Sequence, residues 1–439
     1  MKSSARMSGS SVWGSEPRVE GAMRRLIGVV LAAVMFPGIA AASEAGDRLA
    51  ELLYAGEAAN QRAIYEEQCA VPHADACFGL GLIDLIGAVE GLSQAFYRHG
   101  AVTPRLPAAA MMLGLDADVP SAPANPDPEA LDYSGLRGIL GDFVVGLDRA
   151  RASFETAGAE GDYVITIDPL RVRLDINGDG EVGERETLAT LLGGELALPE
   201  AKTKGDKTVA LDLSIGFDRA DAIWLAGYSQ IGVLPFDMLL AHDFSRLFEA
   251  VGHRLFPEAG LPMQDYSRGG TLMMDPETDT FLADLIAGLH TSNFPIIDKE
   301  RFVGVQARML AVTALSRQNW AAILLETDDN RELVPSPRQT SLVPDQPVTQ
   351  EIVDAWMATL DRLDEILAGE LLLPHWRFSQ GFALNAYFET ATETDIVMLL
   401  TGQGALPFLK DGPIADADSF AEGNRAFGDN WPNFAIWFN

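Results

Sequence analysis

From Asp175 to Glu186 the chain reads DINGDGEVGERE. Side-chain oxygens fall at its first, third, fifth and twelfth places, on Asp175, Asn177, Asp179 and Glu186. Gly180 stands sixth, where a sharp turn is needed, and the main-chain carbonyl of Glu181 is available at the seventh place. Val182 at the eighth is apolar and suited to pinning the loop to a core, while Gly183 at the ninth leaves its corner to water. Such an all-oxygen set suits a hard cation that takes six to eight oxygens, and calcium is that cation. Three side-chain carboxylates and one water position point to an affinity on the order of 10⁻⁶–10⁻⁴ M. The competing reading is an acidic turn without metal, because Asn and Asp favour such turns unaided.

The stretch resembles the EF-hand calcium loop, and DINGDGEV is also similar to the calcium segment of dockerin modules. The resemblance covers these residues alone. Dockerins carry a second, paired segment, which this chain lacks, and their twelfth residue is commonly Asp where Glu186 stands here. The EF-hand has an entering helix, whereas the segment before Asp175 is strand-like and holds Pro169. Neither calmodulin-like sensing nor cellulosome attachment follows from the resemblance.

Other stretches invite a chemical reading. GYSQIG, around Ser229, lacks the glycine at Ile231 that a nucleophile elbow needs, and it falls within a helical run. Asp218, Asp221, Asp237, His242 and Asp243 lie along one helical region; the first two fit a cap and a first-turn charge. Asp328, Asp329, Asn330 and Arg331 read either as a helix stop with a solvated turn or as a second cation site. His375, Trp376 and Arg377 suit carbohydrate or carboxylate contact, or ordinary packing. His99, His253 and His290 are isolated, and no HExxH, P-loop or glycine-rich dinucleotide motif is present.

The elements that must position the loop are mostly helices. Helical periodicity covers residues 45–68, 78–97, 131–157, 218–242 (with Pro235 as an expected kink or break), 280–290, 301–325 and 350–372. Alternating, β-branched runs at 163–176 and 208–217 predict short strands that pair into a ribbon beside the loop. A short helix is expected over 184–192, ended by Gly193 and Gly194. The fold class expected is mainly α: a multi-helix globular protein with a small β-ribbon insert carrying the calcium loop. Its divisions are a helical region 43–157 with a Pro-rich loop at 103–128, the insert 158–217, and a second helical region 218–439.

Residues 1–42 read as an address. Arg24 and Arg25 precede the apolar run Leu26–Phe36, and Ala40–Ala42 supply a cleavage site, so a signal peptide with Met23 as the favoured initiator is expected. An uncleaved anchor is the other reading. Past residue 42 no run is long and apolar enough, free of charges, to predict a span, so the mature protein is not expected to cross a membrane. Cys69 and Cys77 are the only cysteines, and in an exported chain the pair predicts a disulfide. The formal charge of −31 argues against a nucleic-acid partner and an anionic membrane surface, and favours cation attraction. The expectation is a periplasmic or secreted calcium-binding protein with a structural or calcium-dependent binding role. The alternative is an extracytoplasmic hydrolase with a structural calcium ion.

Overall fold

A computed structural model of the chain describes residues 44–71, 73–102, 125–183, 186–188, 214–263, 271, 275–341, 347–428 and 431–438. The expected signal peptide, most of the Pro-rich loop and most of the 184–192 helix lie outside them.

The described chain is mainly helical. The first predicted helix is three pieces: α1 (Glu44–Ala55), a 3-10 turn (Ala58–Gln61) and α2 (Arg62–Ala70). The break falls at Gly56, whose φ of +72° is left-handed, and an added Cβ there would collide with Val182. Helix α3 (Ala74–Arg98) follows, and the Cys69–Cys77 disulfide joins it to α2. Closing so short a loop stabilises by about 2.5 kcal/mol on the chain-entropy model.

Helices α4 (Tyr133–Ala159), α5 (Arg219–Ala241) and α8 (Lys299–Ile323) complete the centre. α4 packs against α3 and α5, and α5 packs against α8. α5 runs through Pro235 without ending. α3 and α5 are long and apolar enough to cross a membrane, but much of each apolar stretch is buried inside the protein. Between α5 and α8 lie α6 (Ser245–Val251) and α7 (Pro276–His290), and after α8 comes α9 (Gln350–Ala368). Asp132, Asp218, Asp275, Asp298 and Thr349 each cap a helix N-terminus through the side chain. Part of the acidity thus sits where helix dipoles stabilise it.

Strands are short and paired antiparallel. β1 (Ile165–Ile167) pairs with β2 (Ile215–Phe217), Thr166 opposite Gly216, as the alternating runs predict. Farther on, β3 (Asn293–Pro295) pairs with β5 (Glu393–Asp395), and β4 (Gly381–Phe382) with β6 (Leu409–Lys410). Helices α10 (Leu384–Thr390) and α11 (Ile396–Thr401) lie among these strands, and α12 (Ala421–Phe427) and α13 (Trp431–Phe438) follow. The main core runs from Leu49 to Phe438. The indole of Trp224 donates to the Trp437 carbonyl and that of Trp320 to the Phe438 carbonyl, each at 3.0 Å, so the aromatic tail packs down onto α5 and α8.

A polar network crosses the centre. Arg308 of α8 reaches both oxygens of Asp148 on α4 at 2.7 Å, Asp237 on α5 at 2.7 Å and Gln230 at 2.8 Å. Arg301 also pairs with Asp237, which is buried. The guanidinium of Arg308 holds the Asp148 carboxyl below its usual range despite the opposing effect of burial.

Candidate metal centre

The loop begins where the ribbon ends. Asp168 caps a 3-10 turn (Pro169–Arg171), after which Val172 and Leu174 turn into the core. The amide of Leu174 donates to the Glu186 carbonyl, and that of Leu188 to the Val172 carbonyl, both at 2.8 Å. These bonds and the antiparallel Arg173–Thr187 bridge fasten the two ends of the loop together. No α-helix enters the loop; where the sequence predicted strand, the approach is β1, a 3-10 turn and the Arg173–Thr187 bridge.

Inside, side-chain oxygens meet the loop's own amides. Asp175 accepts from Gly178 N at 2.7 Å and from Gly180 N at 3.1 Å. Asn177 Oδ1 accepts from Asp179 N at 2.9 Å, and Asp179 Oδ1 from Glu181 N at 2.8 Å. Gly178 and Gly180 have φ of +77° and +79°, which side-chain-bearing residues rarely adopt. Val182 is half-buried over Gly56, and its carbonyl accepts from the Arg173 guanidinium at 3.2 Å. The apolar eighth residue therefore pins the loop as its position predicts.

Glu186 stands differently. Its Oε2 accepts from Gly183 N at 2.7 Å, while Oε1 is buried and has no hydrogen-bond partner. The carboxylates of Asp175, Asp179 and Glu186 do not gather within 4.8 Å as a trio. The five predicted ligand residues, Glu181 through its carbonyl, thus share one loop, with the Glu186 carboxylate turned to the Gly183 amide. The donor set fits a hard cation, because it is all oxygen and one buried carboxylate oxygen is unsatisfied.

Two residues that sequence reading missed hold this loop from outside. On α3, Glu90 Oε1 accepts from Asp175 N at 2.9 Å, and Gln94 Nε2 donates to the Asp175 carbonyl at 2.7 Å. Burial pushes the Glu90 carboxyl up to about 6; the bond from Asp175 N opposes this and the Asp175 charge adds to it. The signal available was two polar residues four apart on a mostly apolar helix.

A second acidic group lies at the start of α5. Oxygens of Asp218, Glu326 and Glu332 lie within 4.8 Å of one another. Asp218 and Asp221 form a reciprocal capping box, as their first-turn position predicts. Glu332 Oε1 accepts from Asn330 N at 2.8 Å, and Glu326 from Gln339 Nε2 at 3.0 Å. Burial, before the neighbouring acids, pushes Asp218 up to about 6, Glu326 and Glu332 each to about 8, and Asp221 upward too. Arg219, beside them, turns its Nε to the Gly158 carbonyl and lowers Asp218 only slightly. At neutral pH such a group keeps protons.

Most of the remaining candidates take structural roles. Ser229 is buried and donates to the Leu225 carbonyl within α5. His242 bonds Met238 O and Thr394 Oγ1 rather than Asp243, whose carboxylate accepts from Ser245 N. His253 is not isolated: its Nε2 lies 3.1 Å from Asp284 Oδ2, both buried. Trp376 is exposed, with its indole bonded to the Leu400 carbonyl and the Arg377 guanidinium over its ring. No protein-family model, curated protein or solved structure matches the chain.

Proposed function

We propose that residues 175–186 bind one calcium ion, and that the chain is an exported protein whose ribbon and N-terminal helices the ion clamps together. The observation that carries this reading is the buried, unpartnered Oε1 of Glu186 beside a loop whose first, third and fifth residues already turn their oxygens inward. Asp175, Asn177, Asp179, the Glu181 carbonyl and Glu186 would hold the ion. Turning Glu186 to the ion would trade its bond to Gly183 for the metal and satisfy the orphaned oxygen.

Titration calorimetry should show one calcium site in the range of about 10⁻⁶–10⁻⁴ M. At about 100 times Kd the ion adds roughly 2.7 kcal/mol of stability, which is a rise of a few degrees in melting temperature. Asp175→Ala and Glu186→Gln should abolish the rise and leave helical content intact. Absence of both heat and thermal shift in the parent protein would sink the reading, and a large change of shape on adding calcium would replace the clamp with a switch.

Export is supported by the disulfide, which fits an oxidising compartment. Peptide mapping of periplasmic protein without reductant should find Cys69 linked to Cys77 and a mature N-terminus near Ser43. An intact Arg24–Ala42 segment on the bulk of the protein would refute this.

A binding role is favoured over hydrolysis by an exposed apolar face. Ile396 and Leu400 lie four apart on α11, which buries none of its residues, and Trp376 is tied to Leu400. A hydrolase would draw on Asp218, Glu326 and Glu332 as proton donors. A cleft of about 350 Å³ is lined by residues of α9, α12 and the segment before α12, including Thr359, Arg362 and Arg425.

A further inference from the structure

We propose that Glu90 and Gln94 are positioning residues of the calcium site, gripping both backbone groups of its first ligand residue and so standing in for the second loop that the chain lacks. The inference rests on the calcium reading of residues 175–186.

The two side chains are matched to what they hold. An acceptor, Glu90 Oε1, meets the Asp175 N–H at 2.9 Å, and a donor, Gln94 Nε2, meets the Asp175 carbonyl at 2.7 Å. Residues four apart lie on one face of a helix, so the pair forms a fork of fixed spacing against one residue of the loop. A neighbouring strand would offer that residue the same acceptor and donor. The fork is rigidly founded, because α3 is tied by the disulfide at one end and packed along α4. A Cβ added at Gly178, the fourth residue of the loop, would meet Gln94 at 3.5 Å, so that side chain also runs alongside the turn.

Two effects on the ion follow. Holding the backbone at Asp175 fixes where its carboxylate points, and groups that orient a metal ligand typically affect affinity about 10–100-fold. Glu90 also brings a fourth carboxylate beside the three of the loop, without being a ligand itself. Charge attracts the cation even from this second position.

The experiment measures calcium affinity by calorimetry on the full mature chain bearing Glu90→Ala, Glu90→Gln or Gln94→Glu. Glu90→Ala should weaken calcium binding about 10-fold or more. Gln94→Glu, which sets a carboxylate against the Asp175 carbonyl, should do the same. Glu90→Gln keeps an acceptor for the Asp175 N–H and should recover most of the loss. Melting in chelator checks that each variant is folded, and only a site-directed role moves affinity while Glu90→Gln restores it. If the parent binds calcium and Glu90→Ala binds it equally well, the positioning role is overturned alone. If the parent binds none, the calcium reading fails and this inference with it. Equal losses in Glu90→Ala and Glu90→Gln would overturn the hydrogen-bond grip.

Discussion

Replacing Glu332 with glutamine is expected to raise the melting temperature at pH 9 by roughly 4–8 °C and to leave it nearly unchanged at pH 4. Glu332 is almost wholly buried, and its carboxyl sits at about 8 instead of 4.5. The fold therefore favours the protonated form. Above about pH 4.5 the unfolded chain gives up this proton while the folded chain keeps it, so stability falls as pH rises until the folded group ionises near 8. The full loss is on the order of 5 kcal/mol. Glutamine offers the same oxygen to the Asn330 amide and carries no charge to bury. Glu326→Gln should act in the same direction, and the double variant should gain less than the sum, because the two acids and Asp218 repel one another. Melting curves from pH 4 to 9 in chelator decide the matter. A variant no more stable than the parent at pH 9 would mean that this group is not held protonated.

Asp237→Ala should have the opposite sign at every pH between 5 and 9. Asp237 is buried and receives both Arg301 and Arg308. Without it, Arg308 keeps Asp148 as its one carboxylate, and Arg301 keeps only Asp298, at 3.4 Å. Breaking a buried ion pair from one side costs about 3–5 kcal/mol, because the other charge is left uncompensated. The loss would be felt where α4, α5 and α8 meet, so a fall in the urea midpoint with an unchanged m-value is expected. A midpoint within experimental scatter of the parent would show that solvent takes over the arginines at no cost.

Local rules made much of this molecule readable. Periodicity located α3, α4, α5 and α8, and β-branched alternation located the β1–β2 ribbon on both sides of the insert. The loop was legible as a motif because its candidate ligand residues fall within one stretch of twelve. What escaped was long-range. Glu90 meets Asp175 across 85 positions, and no spacing rule links a helix residue to a loop that far away. Asp218 is read correctly as a cap from its own neighbourhood, yet its pairing with Glu326 and Glu332 depends on where α8 ends against α5. The break at Gly56 escaped for the same reason: the residue that occupies the space beside it, Val182, lies in the loop.

The aromatic tail sets a schedule for folding. Trp224 finds its carbonyl partner 213 positions later, on Trp437. A ribosome adding about 5–20 residues per second takes roughly 10–40 s to cover that distance. Until the tail is made, the indole N–H groups of Trp224 and Trp320 lack the carbonyls that they bond in the folded chain. The centre is therefore closed by residues made long after the indoles they cover.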